Sequence, residues 1–139
     1  MEECIFCKIV RGEIPCIKIY EDEKVLSFAD INPISTGHVL IIPKIHAENI
    51  WEIDAEDLVA IHRLSLKIAR AMRATLKPEG IAFLQLNGKA VNQVVPHYHL
   101  HLIPRRAGDP KLTMTEWKLV PGDMSAIMAT ARKIASAVE

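Results

Sequence analysis

The sequence predicts an α+β fold: about five short antiparallel strands carrying one long helix, with a second helix near the C-terminal end. Three observations carry this. Residues 97–103, His-Tyr-His-Leu-His-Leu-Ile, alternate histidine with apolar residues, the period-two pattern of a strand whose side chains point to opposite faces in turn. Leu58, Ile61, Ser65, Ile68, Met72 and Leu76 recur at spacings of three and four, a helical stripe. The connections between apolar runs are too short for many parallel crossovers, so the strands must pair antiparallel.

Taken in order, residues 4–11 form a short helical turn before Gly12. Ile17–Tyr20 and Val25–Asp30 are apolar runs separated by Glu21-Asp22-Glu23-Lys24 and read as a hairpin. Asn32-Pro33 and Thr36-Gly37 are turn signals, and His38–Pro43 is a buried strand. Asp54 is placed to cap the long helix, which ends near Lys77, before Pro78 and Gly80. Ile81–Leu86 and Tyr98–Pro104 are two further strands, and Met124–Val138 is the second helix.

The chain has 139 residues, enough for one domain spanning 1–139 with a real core. Half of the residues are hydrophobic, which excludes disorder. Lysine plus arginine and aspartate plus glutamate number 17 each, so no charge footprint points to nucleic acid or an anionic membrane. The opening Met-Glu-Glu-Cys has no basic region followed by an apolar run, so no signal peptide is expected. No apolar stretch reaches the roughly 20 residues that span a bilayer. A cytoplasmic location is the expectation.

His97, His99 and His101 share one face of their strand, with Tyr98, Leu100 and Leu102 on the other. Three imidazoles in a row carry ring nitrogens that all need partners, which points to metal, phosphate or substrate. The stretch before them, residues 87–96, contains Asn87-Gly88 and Gln93. Such a Gly- and Asn-containing loop can turn backbone N–H groups toward an anion. Cys4 and Cys7 offer two thiolates at a spacing suited to one metal ion. They also admit a redox pair, although the βαβ context of that reading is missing, or two unliganded thiols. Cys16 stands alone.

The triad, with Cys4-Ile5-Phe6-Cys7, Gly12-Glu13-Ile14-Pro15, Asp30-Ile31-Asn32-Pro33, Gly37-His38, Ile42-Pro43-Lys44-Ile45-His46, Asn87-Gly88, Gln93 and Ile103-Pro104-Arg105, resembles the histidine triad family of nucleotide hydrolases and transferases over residues 4–105. The resemblance implies a fold like that family's and a two-fold homodimer. It makes His99 the nucleophile and His101 a donor to a phosphate oxygen. A neutral imidazole suits the first task, because attack on phosphorus gives a phosphorus–nitrogen bond that water then breaks.

The resemblance further implies that Asp30 accepts from the ribose hydroxyls, an acid that on its own also reads as a turn initiator. Phe6, Ile9, Ile14 and Ile31 match positions that sandwich a purine; unaided, they read as core. Gln93 matches a phosphate-contacting glutamine. His38 matches a position near the phosphate, or is a partly buried histidine. Three positions depart from the family pattern. Leu86 stands where many relatives carry Asn or Gln, and Asn87 is placed to take over part of that role. Asn92 stands for Gly, and Val94 for Ser or Thr. A structural zinc on Cys4, Cys7, His46 and His97 is the implied metal. The function expected is hydrolysis at a nucleoside-bearing α-phosphorus, with an amine or a polyphosphate leaving. The alternative is a purine-nucleotide-binding interaction protein with slow or vestigial turnover. Beyond Gly108 the chain matches nothing assignable.

Overall fold

The structure is a computed structural model and describes residues 4–112 and 121–137. The chain divides into two compact units, Met1–Gly108 and Asp109–Glu139. The first holds α1 (Ile5–Val10), β1 (Lys18–Glu21), β2 (Val25–Ala29), β3 (Val39–Pro43), α2 (Ala55–Thr75), β4 (Gly80–Leu84) and β5 (Leu100–Arg105). The second holds α3, Met124–Ala137. Val138, the expected end of that helix, lies outside the described residues. The Asp123 carboxylate accepts from the amide of Ser125 at 3.0 Å at the start of α3. No helix among the described residues is long and apolar enough to cross a membrane.

The five strands form one antiparallel sheet in the order β1-β2-β3-β5-β4. Strand alternation sorts the apolar residues onto its two faces. Val25, Val39, Ile41, Tyr98, Leu100 and Leu102 pack with Ile61, Leu64, Ile68 and Met72 of α2. Leu26, Phe28, Leu40 and Ile42 pack on the opposite face with Cys4, Phe6 and Cys7 of the α1 segment. The long helix therefore supplies the main core, and the short one closes the face on which the histidines lie.

Some boundaries differ from the sequence reading. Asp54 occupies the cap position of α2 but its side chain makes no capping bond there. Strand β4 ends at Leu84, because Gln85 and Asn87 bond each other's side chains at 2.6 and 2.8 Å and turn the chain away. Strand β5 begins at Leu100. His97 and His99 precede its ladder, although the Tyr98 amide donates to Ala47 O at 2.7 Å and keeps that segment extended.

Candidate active site

Cys4 is the N-cap of α1, and its Sγ accepts from the Cys7 amide at 3.4 Å. A helical turn thus places two sulfurs side by side. Two imidazoles close on them from distant parts of the chain. Cys7 Sγ lies 3.2 Å from His46 Nδ1, and His97 Nδ1 lies 3.4 Å from Cys4 Sγ and 3.6 Å from Cys7 Sγ. The two Nδ1 atoms are 3.2 Å apart. A tetrahedral zinc with ordinary bond lengths separates two nitrogens by about 3.3 Å and a nitrogen from a sulfur by about 3.6 Å. The four donors, all within 4.8 Å of one another, fit that geometry. His97 Nε2 donates to Pro43 O at 2.8 Å, which leaves Nδ1 bare toward the cluster. Burial, and then the adjoining Cys4, push the Cys7 thiol up to about 11. A cation is what would let such a thiol ionise.

His99 takes the complementary tautomer. Its Nδ1 donates to the carbonyl of His97 at 2.7 Å, so Nε2 carries the lone pair. Burial lowers its pKa, partly offset by that hydrogen bond and by Asp30. The ring is therefore neutral at pH 7. Phe6 stands edge-on to it, centroids 5.2 Å apart.

His99 and His101 together line a cavity of about 430 Å³. Phe6, Ile9, Ile14, Asp30 and Ile31, which the resemblance assigns to nucleoside binding, line it too. Asp30 sits just past β2, and its Oδ1 accepts from the Asn32 amide at 2.8 Å, leaving Oδ2 3.4 Å from His38 Nε2. Leu86, Asn92 and Val94, the three departures, are also on the wall. Asn92 holds the left-handed conformation, φ 68°, in place of glycine.

Other sequence-chosen residues lie apart from this wall. His38 is 3% exposed, accepts from the Ile34 amide at 3.0 Å, and its Nε2 is 2.9 Å from His101 Nδ1. Asn87 accepts from the Ile50 amide at 2.8 Å. Gln93 accepts from the Gly88 amide at 2.7 Å and donates to Glu48 O and Val95 O at 2.6 and 3.1 Å. Both amides are committed to shaping the loop before the triad. The sequence reading passed over Phe28, Leu40 and Cys16 as wall residues. Phe28 and Leu40 are register partners on β2 and β3, and their shared parity with Leu26 and Ile42 could have found them. Cys16 gave no such signal.

A family model described as the HIT domain matches residues 11–108. The adenosine 5'-monophosphoramidase hnt1 of Schizosaccharomyces pombe is 39% identical over 136 residues, 98% of each chain. A crystal structure of a HIT family member from Bacillus subtilis superposes with a TM-score of 0.90 at 39% identity, covering 99% of this chain and 98% of that one. A zinc-bound histidine triad family protein from Mycobacterium smegmatis is 36% identical with a TM-score of 0.74, covering 99% of each.

Proposed function

The chain belongs to the HIT family, and from that premise we propose that it is a nucleotide hydrolase acting at an α-phosphorus that carries a purine nucleoside. The observation that carries this reading is His99: a neutral imidazole whose Nδ1–H is held by a carbonyl, leaving its Nε2 lone pair free at a cavity with apolar walls and one carboxylate. The base lies between apolar side chains such as Phe6, Ile9 and Ile14, and Asp30 accepts from the ribose hydroxyls. Nε2 of His99 attacks the phosphorus, the N–P bond forms, and the bond to the leaving group breaks with its electron pair. The leaving group takes a proton from solvent as it departs. Water then attacks the same phosphorus and loses a proton to solvent, the N–P bond breaks with its electron pair returning to Nε2, and nucleoside monophosphate is released as the neutral imidazole is regenerated. His101 donates to a phosphoryl oxygen as charge builds. An amine leaving group is favoured by the relative from Schizosaccharomyces pombe, which is named for phosphoramidate cleavage.

Cys4, Cys7, His46 and His97 would hold a zinc ion with all four positions filled by protein. Its contribution is structural: it ties the α1 segment to the triad strand and offers no open site to substrate. The active form would be a cytoplasmic homodimer.

The test is to incubate the protein with adenosine phosphoramidate, quench in base, and look for an adenylyl group on a peptide containing His99. Turnover with a base-stable, acid-labile adduct, and net retention of configuration at phosphorus, is expected. Net inversion would mean direct attack by water. Nucleotide binding without turnover on phosphoramidates or dinucleoside polyphosphates would replace the hydrolase with a binding protein.

A further inference from the structure

We propose that Asn92 is a substrate-binding residue whose side-chain carboxamide donates to a phosphoryl oxygen of a nucleotide in the cavity. The backbone around it is not free to do this. The Val91 and Gln93 amides both donate to Gly88 O, at 3.3 and 3.1 Å, and the Asn92 amide donates to Lys89 O at 2.9 Å. The Gly88 amide donates to Gln93 Oε1 at 2.7 Å. Each amide has one proton to give. The loop that the sequence marks as a cradle of backbone N–H groups therefore turns four of them inward, onto itself.

Its side chains are divided as sharply. Gln93 commits its amide nitrogen to Glu48 O and Val95 O. Asn87 donates to Gln85 Oε1 at 2.6 Å and accepts from the Ile50 amide. Neither lines the cavity. Leu86, Val94 and Val95 line it and carry no side-chain donor. Asn92 lines it as well, and its carboxamide has no partner among the described residues.

The charge on the wall makes that one donor count. Among the described residues that line the cavity there is no lysine or arginine, and Asp30 is acidic. An anionic phosphoryl group beside His99 must then be met by neutral donors. His101 is one. The carboxamide of Asn92 is a second, offered from the loop; Asn32, the other carboxamide on the wall, belongs to the turn after Asp30.

The backbone at Asn92 points the same way. It stands at φ 68°, ψ 39°, as the C-cap of the 3₁₀ turn Lys89–Val91. Glycine adopts that conformation without steric cost, and asparagine tolerates it better than most residues with a side chain. As a turn former alone, Asn92 does nothing that glycine would not do at least as well. What it adds is an amide, presented to the cavity from a fixed point. The inference rests on the proposed reading of the cavity as a nucleotide site, but not on turnover there.

The experiment uses Asn92→Gly and Asn92→Asp, with adenosine and adenosine 5'-monophosphate as ligands in calorimetry. Asn92→Gly should keep or raise Tm. It should bind the monophosphate about tenfold more weakly, the scale of one hydrogen bond to a charged group, and adenosine within about twofold of the unsubstituted protein. Asn92→Asp keeps the shape but replaces the donor with a negative charge, so it should bind the monophosphate a further few-fold more weakly, again sparing adenosine. On adenosine phosphoramidate, kcat/KM of Asn92→Gly should fall roughly tenfold. Unchanged affinity of both variants for the monophosphate overturns the proposal while leaving the hydrolase reading in place. An equal loss for monophosphate and adenosine also overturns it, because the residue would then only shape the cavity. Binding of neither ligand by the unsubstituted protein would remove the nucleotide reading and this inference together. Monophosphate binding that depends on Asn92 in a protein without turnover would support the contact and remove the hydrolase alone.

Discussion

Replacing Phe6 with alanine tests how far the wall of the cavity and the fold depend on the same ring. Phe6 is 7% exposed and meets three other rings edge-on: His99 at 5.2 Å, Phe28 at 5.5 Å and His97 at 5.8 Å. All three separations are in the range where aromatic pairs add to area burial. A fully buried Phe→Ala change costs about 3–5 kcal/mol. Here the void opens into an existing cavity, and water can enter it, so the lower end, about 3 kcal/mol, is expected. For a chain of this size that is a fall in Tm of roughly 10 °C. The ring also lines the cavity, where the proposed function places the base, so KM for adenosine phosphoramidate should rise about tenfold, or about 1.4 kcal/mol. kcat should fall less, because the bond from His99 Nδ1 to His97 O does not involve Phe6. Thermal unfolding followed by circular dichroism, and steady-state kinetics well below the variant's Tm, read the two effects separately. A Tm within roughly 2 °C of the unsubstituted protein together with an unchanged KM would refute the reasoning, since a loss of about 3 kcal/mol cannot hide in so small a shift.

His99→Ala should lower turnover at least about a thousandfold and abolish the nucleotidyl adduct, while mononucleotide binding by calorimetry is retained; His101→Ala should cost roughly a hundredfold. Metal analysis of protein purified under reducing, chelator-free conditions should find about one zinc per chain, and chelation should lower Tm more than it lowers kcat measured below the new Tm. Cys7→Ser should reproduce both effects; no zinc in the unsubstituted protein would remove the metal from the account. Stability should decline as pH falls from 7 toward 4. His101 has an unfolded pKa near 6.5 and a folded one of about 4, so across that window the unfolded chain binds the extra proton and the native one does not. Urea midpoints at pH 7 and pH 5 check the sign, and a higher midpoint at pH 5 would contradict it.

The sheet and the long helix were legible because their periods are unambiguous: Ile61, Ser65, Ile68 and Met72 all face the core as the stripe predicts. The separation of Tyr98, Leu100 and Leu102 from the three histidines followed from parity alone. What could not be read were side chains whose partners sit far along the chain. Gln93 donates to the carbonyl of Glu48, and Asn87 accepts from Ile50; no local pattern encodes either bond. The 3₁₀ turn Lys89–Val91 was likewise too short to announce itself. The roles of the individual ring nitrogens depend on Pro43 O, His97 O and the Ile34 amide. A motif names three identical residues, and only the folded surroundings make them different.

The rim of the cavity has a consequence for how such a protein can change over generations. Val94 is 78% exposed and Asn92 is also at the surface, yet both border the space beside His99 and His101. Neither belongs to the two packed clusters. Surface substitutions at a position like Val94 usually shift stability by less than about 0.5 kcal/mol, whereas Asn92, at φ 68°, favours residues that accept the left-handed conformation. Selection can therefore rewrite what Val94 presents to the cavity, and so, under the proposed hydrolysis, what meets the departing group, without endangering folding. The positions behind His99, by contrast, are tied to the core or to the cysteine–histidine cluster and tolerate little drift. Innovation in this scaffold is thus channelled to one edge, where a new preference can be tried and discarded while the chemistry beneath stays constant.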